Sequence, residues 1–266
     1  MCELLGVSAD RAWDARPWLC RFRARGGEVA DNADGWGLAY RQDGVLRLHK
    51  APTAGGRDPV FGALCATVRS ALILGHVRHA RHPRINSLDN THPFIRTCCG
   101  REWVFAHNGL VPEIMHGPGT RLRGVCRPRG ETDSEYAFCY LLEYLASRVQ
   151  PGAEHDRTSW FEDVVSAAGA VAAHGKFNFL MSDGDYLIAY GHDRLHHLEL
   201  TTGKARAILV ATEPLSEAGA WETFAPGELR IYRAGAAVAR AVTRTPFQGA
   251  ADGSVLTASP AAGSVL

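Results

Sequence analysis

The chain has 266 residues, 46% hydrophobic and 21% charged, which is enough apolar content to bury a large core and too much for a chain that stays disordered. Its 29 Lys and Arg against 28 Asp and Glu leave a net charge of +1, excluding both the basic field of a nucleic-acid binder and the acidic excess of a solvating tail. No apolar run approaches the ~18 residues of a membrane span, and Met1–Gly6 lacks the basic and apolar regions of a secretory leader, so the expectation is a soluble cytoplasmic protein without nucleic-acid or membrane partners.

In chain order, Cys2–Ala9 reads as a first strand and Ala12–Arg25 as a less regular helical stretch. Gly35–Tyr40 and Val45–His49, joined by Asp43-Gly44, predict a hairpin. A helix follows over Arg57–Arg69, then strands at Ala71–His76 and Trp103–Ala106. Thr132 and Glu135 form a T-x-x-E capping box ahead of the apolar run Tyr136–Ala146, and a second helix spans Trp160–Ala173. The remaining strand candidates are Phe177–Met181, Tyr186–Tyr190, Leu195–Leu200, Ala207–Ala211 and Leu229–Arg233, with Asp183-Gly184 closing a hairpin.

About ten strands exceed one small sheet, and helices interspersed with antiparallel hairpins, in place of βαβ repeats, predict an α+β fold. There is no internal repeat. The Ala/Gly/Ser-rich end from about Gln248 lacks apolar periodicity, so residues 2–247 are expected to form one domain and 248–266 a flexible tail.

Seven cysteines (Cys2, Cys20, Cys65, Cys98, Cys99, Cys126, Cys139), an odd count without a C-x-x-C pair, fit reduced thiols better than a disulfide frame or a zinc knuckle. Lysine occurs only at 50, 176 and 204, a usage to which no function attaches.

Cys2 follows an initiator methionine that a small second residue allows to be removed, which leaves a thiol beside a free α-amine. Reference pKa values of about 7.7–8.0 for the amine and about 8.5 for the thiol let that amine serve as general base within one residue. The bland alternative is a small residue opening a strand. Trp103–Gly109 reads as a buried strand ending in a polar turn, where the Asn108 side chain and the Gly109 backbone N–H can form an oxyanion hole, although Asn-Gly is also ordinary turn chemistry.

Leu74–His82 runs from an apolar strand into a cationic turn, and the planar fork of Arg78 suits a carboxylate. His76, His79 and His82 invite a metal reading, but their three-residue spacing alternates faces of a strand and no supporting ligand set lies nearby; no metal and no cofactor are expected. Asp133, in the first turn of the capped helix, reads by itself as a surface acid complementing the helix dipole.

Taken together, Met1-Cys2, Gly75-His76-Val77-Arg78, Asn90-Thr91-His92-Pro93-Phe94, Ala106-His107-Asn108-Gly109 and Gly130–Glu135 resemble the class II glutamine amidotransferases of the N-terminal-nucleophile hydrolases. The match is strongest to their stand-alone bacterial members, which share Asp34-Gly35-Trp36-Gly37, and it extends to about Gly235. The resemblance implies a four-layer αββα sandwich of two antiparallel sheets. It also implies that Cys2 attacks the side-chain amide of glutamine or a γ-glutamyl amide through a thioester, with Asn108 and Gly109 holding the oxyanion.

By the same resemblance, Arg78 and Asp133 bind the substrate α-carboxylate and α-ammonium, with His82 a further contact. Arg25-Gly26 matches an arginine near the nucleophile in relatives. Where many relatives carry a Thr-His pair this chain has Arg81-His82, which suits an additional substrate carboxylate, as in γ-glutamyl peptides. No ammonia-consuming domain follows, so any synthase acceptor is expected in trans. The alternatives are a γ-glutamyl-peptide hydrolase of thiol or glutathione-related metabolism and a non-catalytic γ-glutamyl-binding module.

Overall fold

A computed structural model describes residues 1–81, 83–117, 119–148, 160–217 and 219–243, and the backbone of 255–258. The chain forms β1 (Glu3–Asp14), α1 (Arg16–Ala24), β2 (Gly35–Gln42), β3 (Val45–Ala51), α2 (Pro59–Thr67) and β4 (Arg69–Arg78). Next come β5 (Phe94–Cys98), β6 (Arg101–Leu110), a 3-10 turn (Pro112–Met115), α3 (Asp133–Arg148) and α4 (Trp160–Ala172). The described chain closes with β7 (Lys176–Ser182), β8 (Tyr186–Gly191), β9 (His196–Thr202), β10 (Ala205–Ala211), β11 (Glu222–Thr223), β12 (Glu228–Arg233), β13 (Ala236–Val242) and β14 (Val255–Ala258).

These strands make two sheets, ordered β11-β9-β10-β1-β4-β2-β3 and β14-β13-β12-β8-β7-β6-β5, with antiparallel pairing throughout. Alternation along each strand sends successive side chains to opposite faces. Leu4, Leu72 and Leu74 of one sheet meet Val104, Leu180 and Leu187 of the other in a core between the sheets. The alternate residues Leu5, Val7 and Ile73 face Leu19 and Phe22 of α1 and Phe61 of α2. Phe105, Phe177 and Ile188 face Phe138 of α3 and Val164 of α4. The result is the expected α+β sandwich, layered helix, sheet, sheet, helix.

Local signals account for many boundaries. Asp43 (φ 51°) and Gly44 (φ 79°) form the β2–β3 turn with both residues left-handed. Asp58 caps α2 by accepting from the backbone N–H of Val60 and Phe61 at 2.8 and 3.0 Å, ahead of Pro59 at the first helical position. The helical stretch expected over Ala12–Arg25 begins only at Arg16, because β1 continues to Asp14 and pairs Trp13 and Asp14 with Ser70 and Arg69. Within the expected tail, Val255–Ala258 adds as an edge strand to β13; residues 244–254 and 259–266 lie outside the described residues.

The expectation of seven reduced thiols is corrected by a disulfide between Cys126 and Cys139. The two meet because the buried Glu143 carboxylate accepts the backbone N–H of residues 123–126, which folds that loop onto α3. The other five cysteines are free. Among the described residues no helix is long and apolar enough to cross a membrane, and no group of His, Cys, Asp and Glu is arranged to hold a metal ion.

Candidate active site

Cys2 stands immediately before β1, whose register against β4 pairs Glu3 with Val77 and so brings the thiol beside the end of β4. Its Sγ accepts from the His79 N–H at 3.2 Å and donates to the His79 carbonyl at 3.3 Å. Burial raises the thiol pKa, against the opposing effects of the His79 backbone and the Arg78 charge. The adjoining Glu3 carboxylate is buried, pairs with Arg25 and accepts from Asn32 Nδ2 at 3.2 Å. Arg25 thus reaches the residue beside Cys2.

Arg78, the last residue of β4, is buried and donates to Asn86 Oδ1 at 2.9 Å and the Pro83 carbonyl at 3.3 Å. The loop supplying those acceptors is tied back by Asp34, which accepts from Ala80 N–H at 2.7 Å and Asn86 Nδ2 at 3.3 Å. That gives Asp34-Gly35-Trp36-Gly37 a physical purpose. A Cβ at Gly37 would stand 2.1 Å from the His92 carbonyl oxygen, so only glycine lets β2 approach that segment.

On the second sheet, β6 ends in Asn108 and Gly109. The Asn108 amide donates to the Cys2 carbonyl, and a Cβ on Gly109 would lie 1.9 Å from the Lys176 carbonyl oxygen. Asp133 opens α3 and is buried, not the surface acid its position in a first turn suggests; its carboxylate accepts from Val111 N–H at 2.6 Å and Ser134 N–H at 2.8 Å. Cys2, Arg78, Asn108, Gly109 and Asp133 all line one pocket of about 450 Å³. His82 lies outside the described residues.

Sequence reasoning missed the residues that hold this arrangement in place. His107 bridges β7 and α3: its Nε2 lies 3.1 Å from the Lys176 carbonyl and its Nδ1 2.8 Å from Ser134 Oγ. A carbonyl only accepts, so Nε2 carries the proton and Nδ1 takes the serine hydroxyl. Burial lowers the His107 pKa, with Asp133 opposing, and keeps the ring neutral near pH 7. Asn178 donates to the Asn108 carbonyl at 3.1 Å and to Asp193 Oδ1 at 2.9 Å, and accepts from the backbone N–H of residues 192–194. His107 falls within the Ala106–Gly109 motif without a role assigned to it, and Asn178 sits in a strand whose local pattern does not mark it.

The family model of "Glutamine amidotransferases class-II" matches residues 1–201 and 197–255. The chain belongs to the class II glutamine amidotransferase family. It is an enzyme of the glutamine amidotransferase and amide hydrolase type, built on the N-terminal-nucleophile fold.

Among relatives of this amidotransferase, "Putative glutamine amidotransferase YafJ" of Escherichia coli is 32% identical over 87% of this chain and 97% of its own. "Gamma-glutamyl-hercynylcysteine sulfoxide hydrolase" of Mycobacterium tuberculosis is 26% identical over 71% of each chain. The crystal structure of a "predicted glutamine amidotransferase" from Pseudomonas aeruginosa superposes with a TM-score of 0.63 at 27% identity, covering 89% of this chain and 99% of that one.

Proposed function

We propose that this amidotransferase hydrolyses the side-chain amide of glutamine or of a γ-glutamyl amide through a thioester on Cys2, after Met1 is removed. The observation that carries the reading is the convergence of Cys2, Asn108, Gly109, Arg78 and Asp133 on one pocket. Arg78 and Asp133 present opposite charges to the zwitterionic end of a γ-glutamyl group, fixing it so that its side-chain carbonyl carbon meets the thiol.

The α-amine of the processed chain takes the thiol proton, and Sγ attacks the amide carbon. One amide hydrogen of Asn108 is engaged by the Cys2 carbonyl. Its second, with the Gly109 N–H, is the donor pair for the oxyanion, where a single such donor contributes ~2.7–4 kcal/mol. The same amine returns the proton to the departing nitrogen, and water then cleaves the thioester. By the family resemblance His82 adds a contact to the carboxylate, and where glutamine is the substrate a synthase that takes up the ammonia is a candidate partner. Residues 2–247 form the catalytic domain, to whose second sheet Val255–Ala258 adds an edge strand. The named activity of the mycobacterial relative supports extending the substrate range from glutamine to γ-glutamyl amides.

The test is intact-protein mass spectrometry before and after incubation with 6-diazo-5-oxo-norleucine, a glutamine-mimicking electrophile. Loss of Met1 with one adduct on Cys2, absent in Cys2→Ala, is expected. A protein that retains Met1 and takes no adduct would favour the γ-glutamyl-binding module.

A further inference from the structure

The pocket continues past the residues that meet a γ-glutamyl group. Its volume of about 450 Å³ lies in the range that holds drug-sized ligands, and its wall also includes Met1, Lys176 and Asp193. Because β6 and β7 pair Asn108 with Asn178 and Leu110 with Lys176, Lys176 and Asn178 project from the same sheet face as Asn108. Asp193 is anchored from behind by Asn178 at 2.9 Å and pairs through its other oxygen with Lys176. The Lys176 side chain is 55% exposed, so its ammonium ends a flexible arm that can exchange partners.

The direction in which the leaving group departs follows from the base. In the proposed reaction the departing nitrogen takes its proton from the Cys2 α-amine, and that amine is created where the Met1 peptide bond now stands. Met1 leads toward Arg194, whose Nη1 lies 3.7 Å from Met1 Sδ and which adjoins Asp193. The leaving group therefore emerges on the wall made by Met1, Lys176 and Asp193, into space that Met1 vacates.

Resting on that reading of the site, we propose that Lys176 and Asp193 form a second zwitterion-binding subsite, for an amino-acid-like leaving group. Asp193 receives the nitrogen released from the amide, and Lys176 the carboxylate beside it. The favoured substrates are γ-glutamyl conjugates of carboxylate-bearing amines. As the Sγ–C bond forms and the C–N bond breaks, the nitrogen recovers the thiol's proton by way of the α-amine. It gains a second proton from water as an ammonium, and hydrolysis of the thioester restores the thiol and releases glutamate. Ammonia from glutamine has no carboxylate and leaves Lys176 unused.

The experiment compares kcat/KM for γ-glutamylglycine and γ-glutamylmethylamide, which differ by one carboxylate, in protein shown by mass to begin at Cys2. A preference for γ-glutamylglycine of about tenfold or more is expected, falling toward one in Lys176→Met, largely kept in Lys176→Arg, and weakened by added salt. Asp193→Asn, close in shape, supplies an independent variant: it lowers kcat/KM for both conjugates, whose leaving nitrogen is common, and leaves Lys176 to keep the preference for γ-glutamylglycine. Equal kcat/KM for the two substrates, or a preference unmoved in Lys176→Met, overturns the subsite while cleavage of the methylamide leaves the hydrolase reading standing. Failure to cleave glutamine and both conjugates, with no adduct on Cys2, overturns both.

Discussion

Asn108 is the residue on which several requirements meet: its amide faces Cys2, its carbonyl is held by Asn178, and its neighbour Gly109 has no room for a side chain. Asn108→Ala is expected to lower kcat about 10²–10³-fold with little change in KM, because the lost donor acts on charge that appears only in the transition state. Steady-state kinetics on glutamine or γ-glutamylmethylamide check this, and a change confined to KM would remove the oxyanion role. Glu3 tests the support beside Cys2. Arg25→Ala leaves its buried carboxylate with Asn32 as its remaining side-chain partner, and is expected to destabilise the fold by about 3–5 kcal/mol in urea denaturation.

At the scale of the element, the start of α3 does more than end a loop. Thr132 Oγ1 accepts the Glu135 N–H at 3.1 Å, which is the expected half of a capping box. The reciprocal half is replaced: Glu135 accepts from Arg129 and Gly130 N–H at 2.9 and 2.7 Å and pairs with Arg96 of β5. The helix start is thereby tied both to its own entry loop and to the sheet, with Asp133 between the two anchors. Thr132→Ala is expected to cost about 1 kcal/mol, and Glu135→Ala about 3–5 kcal/mol because the Arg96 charge loses its partner. Glu135→Ala should also raise KM through displacement of Asp133; equal stabilities of the two variants would show that the wider network adds nothing.

Across the whole molecule, folding buries imidazoles that cannot hold a proton. His76 and His92 pack with ring centroids 4.3 Å apart and planes tilted by 38°, and no ring nitrogen of either has a hydrogen-bond partner among the described residues. Burial lowers the His76 pKa to about 3, with Arg78 and His107 adding to it; burial also takes His92 well below its usual range, helped by His76, His107, Arg78 and Lys50. Since the folded state binds fewer protons than the unfolded state, stability is full above the unfolded histidine pKa of about 6.5 and falls as pH drops below it, by up to ~1.4 kcal/mol per unit for each ring. Urea midpoints at pH 7.5 and pH 5 should differ accordingly, and His76→Gln should flatten the slope by about one proton. Identical midpoints would contradict the buried neutral pair.

Sequence by itself determined what depends on local order and residue type: the α+β class, the Asp43-Gly44 hairpin and the helix beginning near Thr132; it also singled out Cys2, Arg78, Asn108, Gly109 and Asp133 as candidates, which share one pocket. Each carries a short-range mark, whether an apolar period, a turn glycine or a charge at a strand or helix end. Strands β5 and β13 went unread: they join the predicted β6 and β12 through Cys99 (φ 56°)-Gly100 and Ala234 (φ 48°)-Gly235, where the glycine follows a residue that is no turn former. Only the tertiary structure decided that Asp133 is buried, that Cys126 meets Cys139, that His107 and Asn178 brace the site, and that Lys176 and Asp193 share its wall. The physical reason is that these contacts join residues brought together by sheet register and layer packing, and side chains that meet across strands leave no periodic or local trace in the chain.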